Sequence, residues 1–75
     1  MKELLEYILS QLVSKPEEVK IEVNEKGNQI DFNVKVAEDD LGSVIGRGGR
    51  IANSIRTVVR TRAKKENKRV NINFN

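Results

Sequence analysis

Three glycines and two arginines are crowded into the seven residues Val44-Ile45-Gly46-Arg47-Gly48-Gly49-Arg50, a combination suited to gripping a ligand. Gly46 and Gly49 stand three apart, a Gly-x-x-Gly spacing, with Arg47 between them and Arg50 after them. Glycine accepts positive φ and lets another backbone approach closely. A helix starting near Arg50 would turn its unpaired N–H groups and partial positive charge toward the same turn. The chemistry this favours is the non-covalent holding of a phosphate chain. A tight helix–helix connection is the plainer reading. One glycine suffices for that, however, and here three glycines fall within four residues with arginines beside them.

Composition narrows the alternatives. The 75 residues suffice for one small domain, spanning 1–75, with a thin core. There is no cysteine and no histidine. Thiol chemistry is therefore absent, and so are the commonest metal ligand and the commonest general base near neutral pH. No catalytic residue, metal site or cofactor is predicted. Glutamates among the first leucines argue against a signal peptide or a membrane span, so a soluble cytoplasmic protein without a membrane partner is expected. The net charge of +3 is strongly segregated: residues 1–43 carry five lysines and ten carboxylates, whereas residues 44–75 carry nine Lys/Arg and one glutamate. The basic half starts where the glycine motif starts, which suggests a footprint for a polyanion rather than a merely solvated helix face.

The elements that must position the motif follow from hydrophobic periodicity. Leu4, Leu5, Ile8, Leu9, Leu12 and Val13 predict a helix over residues 2–13, ended by Ser14-Lys15-Pro16. Val19, Ile21 and Val23 alternate as a strand, residues 24–28 have turn chemistry, and Ile30, Phe32, Val34 and Val36 alternate as a second strand. Glu38, Asp39 and Asp40 open a short helix, where carboxylates complement the dipole. They are not a metal cluster, because three adjacent carboxylates do not share one helix face. Leu41, Val44 and Ile45 are its apolar residues and Gly46 stops it. A helix over residues 50–65 has Ile51, Ile55, Val58, Val59 and Ala63 as its predicted inner stripe, with Arg50, Asn53, Arg56, Thr57, Arg60 and Lys64 outward. Val70, Ile72 and Phe74 make the last strand. The order α-β-β-α-α-β with one-sided strands predicts an α+β fold: a three-stranded mixed sheet with helices packed on one face.

With the Gly-x-x-Gly loop between two helices and this order of elements, the whole chain resembles a type II KH domain. The segment from Val44 to Arg60 is similar to the small bacterial single-KH RNA-binding proteins of the KhpA type. The resemblance implies a non-enzymatic protein that grips single-stranded RNA, acting as a post-transcriptional regulator or RNA chaperone. Such loops clamp about four nucleotides. Carried over by position, Gly46 and Gly49 admit the RNA backbone, and Arg47 contacts phosphate beside Gly48. Ile45 supports the groove from inside. Ser43, Val44 and the exposed part of the helix from Arg50, with Asn53 and Ser54, form one groove wall. The edge of the central strand is expected to form the other. Many KH domains place a larger aliphatic residue where Ala52 stands. The resemblance also implies a homodimer, or a heterodimer with a larger KH-containing protein of the Jag type.

Three other classes compete. A helix-turn-helix DNA binder also joins two helices by a glycine turn, but the basic helix lacks the base-reading first turn of that class. Nucleotide-binding enzymes place their glycine loops after a strand, not after a helix, and the Walker Lys-Ser/Thr is missing. A protein-interaction module is compatible with RNA binding rather than opposed to it. The aromatics number only three, Tyr7, Phe32 and Phe74, and two fit core positions, so stacking platforms are not expected.

Overall fold

The computed structural model describes residues 1–75. Helix α1 (Lys2–Ser10) is followed by strands β1 (Lys20–Lys26) and β2 (Gln29–Lys35), helices α2 (Glu38–Ile45) and α3 (Arg50–Lys65), and strand β3 (Arg69–Phe74). The sheet has the order β1-β2-β3, with β1 antiparallel and β3 parallel to the central β2. No helix is long and apolar enough to cross a membrane.

The period-2 alternation of β2 and β3 becomes one buried and one open sheet face. Ile30, Phe32, Val34, Val70 and Ile72 are buried, while Asn33, Asn71 and Asn73 are exposed. Phe32 pairs with Ile72 in the parallel register and stands at the centre of a twelve-residue core that includes Leu5, Leu9, Val44, Ile55 and Val59. Burying each such side chain contributes roughly 1.5–3 kcal/mol, so a few residues dominate the stability of so small a domain.

Three expectations are corrected. Helix α1 ends at Ser10, three residues before the predicted end, and Leu12 and Val13 pack against the core from the following turn. Their apolarity extends the helical pattern in sequence, but the chain is already turning toward a 3-10 turn at Pro16–Glu18. Strand β1 is less buried than its alternation suggests: Val23 is exposed although it pairs with Phe32, because β1 is an edge strand. In α3 the buried row is Ala52, Ile55, Val59 and Ala63, whereas Ile51 and Val58 are exposed. Each of those two lies about 100° round the helix from the buried residue that follows it. Hydrophobic size favours the isoleucine in sequence, but the inward row at the start of the helix holds an alanine.

The acidic start of α2 does more than complement a dipole. Asp40 is buried, and one carboxylate oxygen accepts the Ser14 backbone N–H at 2.9 Å and the Ser14 hydroxyl at 2.7 Å. The other accepts the Lys15 N–H at 3.0 Å. Asp40 thus ties the segment after α1 to α2. The Ser14 backbone bond, then the Ser14 hydroxyl and the Lys15 bond, hold its carboxyl below the ordinary aspartate value against the opposing effect of desolvation. A depressed pKa contributes stability that is present above the unfolded-state value and is lost as pH falls through the folded-state value. Asp40→Asn should therefore melt below the parent at neutral pH. The gap should narrow as pH falls below about 4. Thermal melts by circular dichroism across that range check this, and a gap independent of pH would contradict it.

Candidate nucleic-acid interface

Helix α2 stops at Gly46, whose N–H donates to the Gly42 carbonyl at 2.9 Å and whose φ is +76°. The chain makes one tight turn over Arg47–Gly49 and enters α3 at Arg50. Gly46 is needed here for space as well as for φ. A Cβ at this position would lie 2.6 Å from Ile51 Cγ1 and 2.9 Å from the Ile51 backbone nitrogen. Gly48 and Gly49 also have positive φ, +64° and +79°, but nothing lies within 4 Å of a Cβ at Gly48. The loop therefore presents an almost bare backbone to the outside at its tip and is packed tightly at its base.

The electrostatics match this opening. No side chain caps the N-terminus of α3, so its first amides and the positive end of its dipole face the loop. Arg47 and Arg50 are both exposed, and neither belongs to any of the three ion pairs, Lys15–Asp39, Arg62–Glu66 and Lys68–Glu25. Asn53 stands one turn into α3, with its amide nitrogen 4.0 Å from a Cβ built on Gly49. Two guanidinium groups outside any ion pair, the open amides of a helix N-terminus and a glycine backbone thus fall within residues 46–52, a set suited to holding a phosphate chain.

The sequence-derived site residues divide into three groups. Gly46, Arg47, Gly48, Gly49, Arg50 and Asn53 come together at the loop, and Ser43 is exposed on α2 just before it. Val44 is fully buried, so its side chain can support a groove wall only from beneath. Ile45, expected inside, is half-buried. Ser54 lies on another face of α3: its hydroxyl donates to the Arg50 carbonyl at 2.9 Å, and the residue borders an apolar groove beside α1. Ala52 is buried at 2% exposure and belongs to the interior rather than to a base-contacting surface.

The expected second wall is also corrected. The central strand β2 is paired on both sides and has no free edge, whereas β3, on which α3 packs, does. By spacing alone, Arg56 is an ordinary outward helix residue. In the structure it is half-buried and spans the cleft between α3 and β3. Its Nε donates to the Ile72 carbonyl at 3.2 Å, one terminal nitrogen donates to Asn53 Oδ1 at 2.9 Å, and its guanidinium carbon lies 5.3 Å from the centre of the Phe74 ring. Phe74, half-buried at the end of β3, is the one aromatic in contact with this arginine.

The comparisons with known proteins place the chain in a family. The family model described as the KhpA/KhpB KH domain matches residues 2–74. Proteins named RNA-binding protein KhpA from Clostridium acetobutylicum and Clostridium perfringens are each 50% identical over 70 residues, covering 93% of this chain and 93% of the relative. A protein of the same name from Borreliella burgdorferi is 43% identical over 70 residues, covering 93% of this chain and 85% of the relative. No solved structure matches the chain. With an α-β-β-α-α-β order, a mixed three-stranded sheet and a Gly-x-x-Gly loop between the two central helices, the chain belongs to the KhpA/KhpB KH-domain family.

Proposed function

We propose that this chain is a single KH domain that binds single-stranded RNA, without catalysing a reaction, in the cytoplasm. The observation that carries the reading is the Gly46–Gly49 loop, open to solvent at its tip and flanked by two unpaired arginines at an uncapped helix N-terminus. The names of the relatives support it. The loop holds about four nucleotides of backbone, and the loop end of the α3–β3 cleft, around Asn53, Arg56 and Phe74, takes the bases. A footprint this small implies weak binding by one copy, and avidity then comes from a second domain. Regulation of messages after transcription, or RNA chaperoning, is the role such a grip serves.

Competition in fluorescence anisotropy tests the reading. Unlabelled single-stranded RNA should displace a labelled RNA far better than duplex DNA of equal length, because bases must be splayed to enter the cleft. Equal competition by the duplex would favour a helix-turn-helix mode instead.

A partner surface is supported by a separate observation. Leu4, Tyr7, Ile8, Leu12, Ile51 and Val58 line an apolar groove between α1 and α3, with Tyr7, Ile51 and Val58 exposed. None of the residues lining it is charged, so two copies of a cationic chain can meet there without opposing like charges. A two-fold dimer brings the same patch from each copy together. Val58→Asp should then shift the protein from dimer to monomer in sedimentation equilibrium and leave its melting two-state. A parent that sediments as a monomer would remove the homodimer and leave a larger KH-containing chain of the Jag type as the occupant to be tried.

A further inference from the structure

The basic half of the chain contains more cations than the loop uses, and they are not scattered. Arg56, Arg60 and Lys64 recur at every fourth position of α3 and so share one face of the helix. Arg56 reaches across to β3 at Ile72. Further along the same seam, Arg60 and Lys64 line a cleft whose other side is Lys68, Arg69 and Val70. Of these four cations only Lys68 has an acidic partner, Glu25 at 3.2 Å. Cations in the last turn of α3 complement its dipole, which accounts for Lys64. The dipole does not account for Arg60, which lies before that turn, or for Arg69, which lies beyond the helix. Like charges one helical turn apart repel each other, and a bound polyanion removes that penalty.

We propose that this cleft is a second phosphate-binding site, separate from the glycine loop, which takes the sugar–phosphate backbone of the same RNA strand after it leaves the loop. The proposal rests on the RNA-binding reading. The geometry sets the length of RNA required. Arg50 and Lys64 are fourteen residues apart on one helix, about 21 Å along its axis. At about 3.4 Å per stacked nucleotide this is roughly six nucleotides, and fewer where the strand is extended. A strand of about four or five nucleotides fills the loop alone, whereas one of about twelve reaches both sites. The charged row along the α3–β3 seam would then guide the strand from one site to the other.

Oligouridylates of these two lengths, titrated against the parent and the double variant Arg60→Gln/Arg69→Gln, test the proposal. Glutamine preserves much of the side-chain length and the helix propensity, so α3 should remain folded, which melting by circular dichroism checks. The parent should bind the longer oligomer more tightly than the shorter. The variant should lose about tenfold on the longer oligomer and less than about twofold on the shorter. For the longer one the slope of log K against log salt should fall by about 1.4, at about 0.7 for each phosphate no longer neutralised. Arg60→Gln/Lys64→Gln should behave the same way with both changes on one wall. Equal losses on both lengths would mean a diffuse field and overturn the site. A length step untouched by either variant would overturn the site alone, whereas a parent that binds neither oligomer would overturn the RNA reading and the site with it.

Discussion

Replacing Arg47 and Gly48 together with aspartate is expected to abolish measurable RNA binding while the domain stays folded. Both residues are exposed, and nothing lies within 4 Å of a Cβ at Gly48, so the new side chains meet no steric obstacle. Position 48 has a φ of +64°, a conformation that aspartate tolerates better than most residues. The change at the loop tip is from one positive charge to two negative ones. Two unit charges of like sign about 4 Å apart repel by roughly 1 kcal/mol in water and by about 4 kcal/mol near a protein surface. The variant removes the attraction between Arg47 and phosphate and adds two such repulsions at the place where phosphate must come closest. A weak binder should therefore fall by more than a hundredfold, at about 1.4 kcal/mol for each factor of ten. Anisotropy titration with single-stranded RNA measures the loss, and circular dichroism confirms the fold. An unchanged affinity would remove the loop as the clamp.

Val44→Asn is expected to unfold most of the protein near physiological temperature. Val44 is fully buried in the core cluster with Phe32 and Val59, two residues before the loop. An amide buried there without a partner costs about 1–3 kcal/mol. Losing the valine's apolar burial costs about 1.5–3 kcal/mol more. A domain of this size has roughly 4–11 kcal/mol in all. The RNA site should disappear with the fold, because the loop hangs on the helix that Val44 anchors. Ile45→Asn, at a half-buried neighbour, should lower the melting temperature by clearly less. Equal melting of the two variants would show that α2 is not anchored through Val44. The contrast between these adjacent residues decides which of them is core and which borders the groove.

Much of this molecule was legible in its residues. The order of elements, the hairpin, the bounds of α3 and the glycine loop follow from short-range rules: periodicity, turn residues, and helix starts and stops. The glycines and arginines of the loop declare their chemistry through type and spacing, because little else explains three glycines and two arginines at one helix junction. Local rules stop where a choice depends on what lies opposite. Ile51 and Ala52 are both apolar and adjacent, and only the packing of α3 decides that the smaller goes inward and the larger is left on a groove beside α1. Val44 and Ile45 present the same ambiguity in α2. Arg56 is one of six arginines in the basic half of the chain, and its bridge to the Ile72 carbonyl exists only because β3, returning parallel to β2, places its open edge beside α3. Asp40 reads as one acid among three until the segment after α1 folds back and supplies the Ser14 and Lys15 donors. The order of the elements and the character of the loop are local properties, since both depend on neighbours within a few positions. Which apolar face is buried, which strand edge is open and which cations line one cleft are set by packing, since they depend on residues brought together from distant parts of the chain.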